Sequence, residues 1–301
     1  MQYPKRLIEV DLPIKRISAH ARREKSIRHG HISTLHIWWA RRPLAACRAV
    51  LCASLWPDPA DPLCPKQFVD LAQNEMIKWS DNEHLQLLSK ESIEHFIKVN
   101  HDKKLIENKE FLRALLLDFI ADFANWDNTN KTEYLNTSFL LTNLSHSLLS
   151  GVDESIPLVA DPFAGGGSIP LEALRVGAES FASDLNPIPN LINKAQLEYI
   201  PRYGNKLSED LKKIGEAVKI KLQNELGKFY FDQDLENDEP IAFVWARSIK
   251  CEGPGCGLKV PLIRNLWISK KKNSSYALSL SYTKSKFGQV ILLHILSDGK
   301  L

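Results

Sequence analysis

The sequence predicts an α/β fold built around one strand, loop, helix, strand unit near the middle of the chain. An apolar run at 156–159 is typical of a buried parallel strand, and a glycine loop follows it at 161–167. Residues 168–174 can begin a helix, because proline is tolerated in a first turn. A second strand at 181–183 would place Asp184 at its carboxyl end, where a carboxylate can accept hydrogen bonds from both hydroxyls of a ribose. This arrangement indicates a nucleoside-cofactor site.

Two classes of cofactor use a site of this kind, and the glycine spacing separates them. The dinucleotide fingerprint requires a third glycine three positions after the second. With Gly165 and Gly167 as the first pair, that position holds Pro170. A pyrophosphate-containing cofactor, and with it a nicotinamide oxidoreductase, is therefore disfavoured. The other alternative, a simple glycine turn, is weakened by the strand and helix signals on either side.

A second candidate segment lies upstream of the glycines. Pro43 would begin a helix whose apolar residues recur at helical spacing, and Trp38 and Trp39 stand just before it. Adjacent side chains in extended backbone point in opposite directions, so we expect one tryptophan in the core and the other at a cofactor or base pocket. His31 and His36 are each more typical of a hydrogen-bonded structural histidine.

The segment Asp-Pro-Phe-Ala-Gly-Gly-Gly at 161–167 resembles the S-adenosylmethionine-binding first motif of amino-methylating DNA methyltransferases. The blocks at 6–14 and 38–43 are similar to the domain of unknown function that opens prokaryotic adenine-specific DNA methylases containing a zinc ribbon. This resemblance covers residues 1–68 and resumes from about residue 155. It implies a Rossmann-like methyltransferase fold, S-adenosyl-L-methionine as cofactor, and methyl transfer to the exocyclic amine of adenine in duplex DNA, as in restriction-modification systems.

The resemblance also implies a set of cofactor contacts. Asp184 would bind the ribose, while Leu185 and Asn186 would lie beside the adenine. Arg42 and Pro43 stand where the family has Lys-Pro, and together with the preceding arginine they would close over the methionine end. The loop residues that would surround the methionine moiety are Asp161, Pro162, Phe163, Ala164, Gly165, Gly166 and Gly167.

One family motif does not occur in these 301 residues. The amino-methyltransferases carry an Asp/Asn/Ser-Pro-Pro-Tyr/Phe tetrapeptide, which holds the target amine in line with the methyl group and stacks on the flipped base. The nearest segment, at 186–189, lacks the second consecutive proline and the aromatic residue. We therefore assign no catalytic residue and expect the cofactor-binding part of a longer enzyme, inactive alone. The alternative is a non-catalytic subunit that binds S-adenosylmethionine or DNA and is completed by a partner chain.

The cysteines fit the same resemblance. Cys251 and Cys256 resemble the first half of the family's zinc ribbon, after an apolar strand predicted at 241–246. A tetrahedral zinc site needs four ligands, so zinc is possible but its ligand set is incomplete. Cys47 and Cys52 suit a buried helix face. Five cysteines without a signal peptide argue against a disulfide framework and indicate a reducing cytoplasm.

Positive charge is concentrated at the N-terminus. The net charge of the chain is +3, but residues 1–50 contain eleven Lys/Arg and three Asp/Glu, an excess of 8. An excess of this size can contribute to binding a phosphate backbone, and the alternative is a solvated helix face. The residues predicted to face DNA are Arg16, Arg22, Arg23, Lys25 and Arg28.

A long insertion lies between the two candidate segments. The spacing of its apolar residues predicts helices at 83–123 and 138–149, with a polar break at 125–136. We expect this insertion to be a scaffold helix pair, and the alternatives are that it covers the cofactor or contacts DNA. A further amphipathic helix is predicted at 205–229. The predicted divisions of the chain are an N-terminal domain at 1–68, a helical insertion at 69–155, a cofactor-binding core at 156–240 and a partial zinc ribbon at 241–301.

Overall fold

The computed structural model describes residues 3–153, 155–229, 245–254, 256–271, 274–285 and 288–297. The chain divides into two compact units, Met1–Ile214 and Gly215–Leu301. Both segments that the sequence indicates for cofactor binding lie in the first unit. No helix of the described ranges is long and apolar enough to cross a membrane.

The first unit begins with two helices on either side of the tryptophan segment. Helix α1 spans Ile14–Ser26 and α2 spans Leu44–Leu55, with 3-10 turns at Leu7–Glu9 and Ile32–Thr34. Pro43 directly precedes α2 in extended backbone, as the sequence predicts. Small side chains let the interior face of α2 approach its neighbours closely. The small side chains that α2 buries are Ala45, Cys47, Ala49, Cys52 and Ala53.

The helical character predicted for 83–123 and 138–149 is confirmed. Ser89 and Asn108 cap two of these helices, because their side-chain oxygens accept backbone N–H groups of the first turn. A 3-10 turn at Trp126–Asn128 occupies part of the polar break, and another lies at Lys103–Glu107. The helices are α3 (Lys66–Trp79), α4 (Asn82–Leu85), α5 (Lys90–His101), α6 (Lys109–Phe123) and α7 (Thr132–Ser150).

Helix α6 lies at the centre of the hydrophobic core. Its Phe119 ring packs at 5.2 Å from the rings of both Trp79 and Tyr134, on α3 and α7. The indole N–H of Trp79 donates to Thr137 Oγ1 at 3.0 Å, so its polar atom is satisfied in the interior. The region expected to be a scaffold pair therefore supplies the centre of the first unit's core. Other fully buried α6 side chains are Leu112, Leu115, Leu116, Ile120 and Phe123.

The strand, loop, helix, strand unit follows the helical region. Strand β1 (Leu158–Asp161) pairs in parallel with β2 (Glu179–Ala182), and α8 (Ser168–Val176) connects them. One face of this pair lies open, because Leu158 is 63% exposed and Phe181 is 55% exposed. Side chains of β1 and β2 alternate between exposed and partly buried positions. The prediction of a buried parallel strand at 156–159 is therefore wrong in its burial.

The predicted Rossmann-like α/β fold is also wrong. Such a fold requires a broad parallel sheet covered by helices on both faces. In the described residues, parallel pairing is confined to β1 and β2, with four residues in each strand, and helices account for most of the first unit. The predicted local order of strand, loop, helix and strand is present. It does not extend into a larger parallel sheet.

The first unit continues through α9 (Pro187–Asn193) and a π-helical turn at Lys194–Tyr199. Helix α10 (Ile200–Leu226) follows, with one non-helical residue at Gly204, and its residues from Gly215 onward belong to the second unit. A 3-10 turn at Gly227–Phe229 comes after it. The amphipathic helix predicted at 205–229 is thus present.

The described strands of the second unit all pair in antiparallel fashion. One pair flanks the two cysteines, and the other strands form a three-stranded sheet. The predicted strand at 241–246 lies mostly outside the described residues. The strands are β3 (Ser248–Lys250), β4 (Lys259–Pro261), β5 (Trp267–Lys271), β6 (Ser274–Ser285) and β7 (Gly288–Ser297).

Candidate functional site

The glycine loop is shaped by backbone that only glycine adopts easily. Gly165 and Gly167 have φ of +49° and +77°, in the left-handed region where a Cβ is disfavoured. A Cβ on Gly167 would lie 2.3 Å from Asn193 Oδ1, and the Asn193 amide is held in place by donating to Gly165 O and Pro189 O. Sequence reasoning missed Asn193, because its partners lie up to 28 positions away.

Asp184 closes the loop from the end of β2. Its Oδ2 accepts the Gly165 N–H at 2.9 Å and its Oδ1 accepts the Asn186 N–H at 2.9 Å. The Ala164 N–H also donates to Ser183 O at 3.0 Å, which joins the loop to the chain beyond β2. The predicted meeting of glycine loop and carboxylate is present in the structure. We call residues 161–167 together with Asp184 the glycine wall.

Residues 38–42 face this loop, and we call them the tryptophan wall. Trp38 is half-buried against the glycines, since a Cβ on Gly165 would lie 2.9 Å from its Nε1. Trp39 is 86% exposed. The expectation that one tryptophan belongs to the core is therefore wrong, because the ring that packs inward covers the glycine loop. Ser168 directly follows the glycine wall, and its hydroxyl donates to Arg42 O at 2.8 Å. This hydrogen bond connects the start of α8 to the tryptophan wall.

Between the walls lies an open cavity of 640 Å³, a volume within the usual range for small-molecule sites. Two acidic residues, Asp161 and Asp184, and two basic residues, Arg41 and Arg42, line it. The expected contacts Pro162, Gly167, Leu185 and Pro43 do not line this cavity. Expected cofactor contacts that do line it are Asp161, Phe163, Ala164, Gly165, Gly166, Asp184, Asn186 and Arg42.

Glu24 supports the tryptophan wall from α1, and sequence reasoning missed it. The buried carboxylate accepts the N–H groups of Leu44 and Ala45 at 3.1 and 3.2 Å, at the start of α2. Its Oε1 also lies 3.9 Å from Arg41 Nη2. A negative charge is favourable at a helix N-terminus, so this contact fixes the segment that leads from the wall into α2. The only signal in the sequence was an acidic residue within a basic run.

His31 lies beneath the same wall. The centroid of its ring lies 3.9 Å from that of Trp126, with the two rings tilted by 37°. Its Nε2 lies 3.7 Å from Glu24 Oε1, and the residue is 2% exposed. Burial, followed by the positive charges of Arg41 and Arg175, lowers the pKa of His31 to about 4. The imidazole is therefore neutral near pH 7, in keeping with the structural histidine that the sequence indicates.

A buried ion pair joins the helices that carry the two walls. Arg48 on α2 donates through Nε to Glu172 Oε2 on α8 at 2.6 Å, with both side chains buried. Arg48 also donates to Phe123 O and Thr129 Oγ1. Paired and hydrogen-bonded, these charges can remain in the interior, and they tie α2 to α8 beneath the cavity.

The predicted DNA-facing residues separate into two groups. Arg16 binds Asp118 Oδ1 at 2.6 Å and Asp122 Oδ1 at 2.5 Å, which gives it an internal structural role. Arg23 is paired with Asp127 at 2.6 Å on the surface. Without these two paired arginines, the candidate DNA-facing patch consists of three exposed cations on α1 and the turn after it. These cations are Arg22, Lys25 and Arg28.

Cys251 and Cys256 come together in a tight turn between β3 and β4, where the Cys256 N–H donates to Gly253 O at 3.0 Å. Hydrogen bonds from the Gly253 backbone and the Cys256 side chain lower the pKa of the Cys251 thiol. Within the described part of the chain, no group of three or more potential ligands surrounds the pair. Two cysteines alone do not fit a structural zinc site. Cys47 and Cys52 are buried in α2, as expected, and burial raises the pKa of each to about 12.

Part of the first unit matches a known family model. Residues 11–82 match the family described as a protein of unknown function (DUF1156). This stretch runs from just before α1 into α4, and includes Glu24, the tryptophan wall and α2. No curated protein and no solved structure matches the chain.

Proposed function

We propose that the cavity between the two walls binds S-adenosylmethionine. The observation that carries this proposal is the contact between Asp184 and the glycine loop at the edge of the cavity. Each oxygen of Asp184 accepts one backbone N–H, and a carboxylate has about four acceptor positions. The hydrogen bonds within the described residues therefore leave two positions to accept the hydroxyls of a ribose.

The charges around the cavity also suit this cofactor. The methionine portion carries an ammonium and a carboxylate, and the lining of the cavity includes the acidic Asp161 and the basic Arg41 and Arg42. Phe163 and Trp39 are exposed aromatic rings at the cavity and could pack on the adenine. A dinucleotide is less well matched, because the glycine spacing lacks the third position that a pyrophosphate site uses.

The reaction we propose is methyl transfer to the amine of adenine in DNA, the activity implied by the resemblance at 161–167 and 38–43. The cofactor would supply an activated methyl group, and the chain's own residues would bind and orient it. A polar-Pro-Pro-aromatic segment from outside these 301 residues would hold the amine in line. A subunit that binds S-adenosylmethionine without catalysis is the second candidate, favoured by the absence of that tetrapeptide from this sequence.

Calorimetric titration tests the cofactor proposal. We expect the purified chain to bind S-adenosylmethionine and not NADH, and Asp184→Asn to weaken binding by about tenfold or more, because a neutral amide accepts ribose hydroxyls less well than a carboxylate. Asp70→Asn, at an exposed position on α3, is the matched control and should bind like the wild type. Equal binding by the wild type and Asp184→Asn would remove Asp184 from the site. No binding by a well-folded wild type would contradict the proposal.

A further inference from the structure

Helix α10 is long, amphipathic and open. It spans Ile200–Leu226, and none of its described side chains is buried. The part that follows the non-helical Gly204, at 205–226, is continuous and about 33 Å long. A helix in a protein gains most of its stability by packing its apolar face against another element. A helix of this length whose apolar face remains exposed therefore has the character of an interface.

The apolar side chains of this continuous part fall on one face, which we call the apolar stripe. They recur at intervals of four, three, four and four positions, which aligns them along a helix of about 3.6 residues per turn. Leu211 is 60% exposed and Ile214 is 61% exposed. A Cβ added to Gly215, at the edge of this face, would meet no atom within 4 Å. The residues of the apolar stripe are Leu207, Leu211, Ile214, Val218 and Leu222.

Charged residues border the apolar stripe in an order that complements itself. Lys206 and Asp210 stand one turn apart in the first half of the helix. Lys221 and Glu225 stand one turn apart in the second half, where Lys221 Nζ lies 3.9 Å from Glu225 Oε1. Both halves therefore read basic then acidic along the chain. A second helix that runs in the opposite direction presents acidic then basic, so each charge meets its opposite.

These charges decide between the two directions in which a second α10 could run. A parallel, in-register pair would set Lys221 against Lys221 and Glu225 against Glu225, and like charges at such positions destabilise a helix pair. The antiparallel pair avoids both contacts. Its ion pairs would be exposed, so they would select the direction and register of pairing more than they would add affinity.

The apolar residues fit the same antiparallel arrangement. When the two-fold axis passes near Gly215, Leu207 faces the second copy's Leu222. Leu211 faces the second copy's Val218 in the same register. The small Gly215 at the axis lets the two helices approach closely. One patch then serves both copies, as a closed two-fold dimer requires.

We propose that the apolar stripe is the interface of a homodimer, in which α10 pairs with α10 of a second copy of this chain in antiparallel orientation. Asp210 would pair with the second copy's Lys221, and two-fold symmetry makes each contact occur twice. None of the described residues that line the cavity between the glycine and tryptophan walls belongs to α10. The proposal is therefore independent of cofactor binding.

Analytical ultracentrifugation of the purified chain tests the interface. We expect a dimer with a dissociation constant in the micromolar range. Leu211→Asp/Val218→Asp should be monomeric, because dimerisation would bury two charges in the stripe. The matched control, Asn205→Asp/Gln223→Asp, adds the same two charges at exposed positions on the opposite face of α10 and should remain dimeric. Circular dichroism should show equal helix content in both, since the wild-type helix buries none of these side chains.

A charge exchange tests the register. Asp210→Lys should weaken dimerisation about tenfold, because two attractive contacts become repulsive. Asp210→Lys/Lys221→Asp should recover most of this loss. The two positions lie about 16 Å apart along one helix, so recovery reports a contact between copies.

A wild type that stays monomeric up to about 100 µM would overturn the proposal. A dimer that survives Leu211→Asp/Val218→Asp, or one that the control disrupts equally, would also overturn it. Failure of the charge exchange to recover affinity would exclude the antiparallel pairing.

Discussion

The glycine wall and the tryptophan wall enclose one cavity, but contacts of very different range hold them in place. The glycine wall is fixed by hydrogen bonds among residues 161–193, most of them to its own backbone. The tryptophan wall has no regular secondary structure and depends on Glu24 from one side and on Ser168 from the other. A single substitution should therefore disturb the first wall through local strain and the second through the loss of a distant support.

The largest effect should follow from Gly167→Ala, which breaks the glycine wall. The substitution adds a left-handed strain of about 1–3 kcal/mol and drives a Cβ into the amide of Asn193. Gly151→Ala is a matched control, because that residue has φ +70° at the end of α7 with no atom within 4 Å of a new Cβ. Urea unfolding should show a greater loss of stability for Gly167→Ala. Equal losses of unfolding free energy in the two variants would mean that the Asn193 side chain moves aside for the new Cβ and does not fix the loop.

A smaller effect is expected from Glu24→Ala, which loosens the tryptophan wall. Loss of the contacts with Leu44 and Ala45 should lower the free energy of unfolding by about 1–2 kcal/mol, as for other helix caps. Affinity for S-adenosylmethionine should also fall, because Arg41 loses the nearby carboxylate and the chain that leads from the wall into α2 loses its contact with α1.

Asn108→Ala provides the comparison for Glu24→Ala. This residue caps α6 through two backbone N–H groups and lies outside the cavity, so its loss should lower stability by a similar amount with cofactor affinity intact. If both variants retain cofactor affinity, Glu24 supports the helix but does not position the wall.

The smallest effect at neutral pH is expected from His31→Gln beneath the tryptophan wall, because this substitution acts on the pH dependence of stability. The pKa of His31 is about 4 in the folded protein and near 6.5 when unfolded, so the unfolded chain binds the additional proton. This residue contributes stability above about pH 6.5, and the contribution is lost as the pH falls towards 4. His31→Gln should flatten the change in unfolding free energy over this window, whereas His36→Gln, at an exposed position, should not. Parallel curves for wild type and His31→Gln would exclude the effect.

The parts of the site that the sequence predicted are local or chemically distinctive. The spacing from the glycines to Asp184 specified their meeting, because a short strand, loop, helix and strand leave the chain few alternatives. The extent of the sheet was not predictable, since an apolar run such as 156–159 does not reveal whether its second face is covered. The charge pattern also could not show that, within the described residues, Arg16 is paired and Lys25 is not, because Asp118 and Asp122, which bind Arg16, lie more than 100 positions away in the sequence.

The central claim is that S-adenosylmethionine occupies the cavity between the two walls. Ultraviolet crosslinking of the labelled cofactor, followed by tryptic peptide mapping, tests the location directly. We predict label in the peptide 29–41, which carries Trp38 and Trp39, or in 132–175, which carries Phe163, and loss of that label with excess unlabelled cofactor. Saturable label confined to 17–22, at the separate surface cavity beside Arg16, would contradict the account.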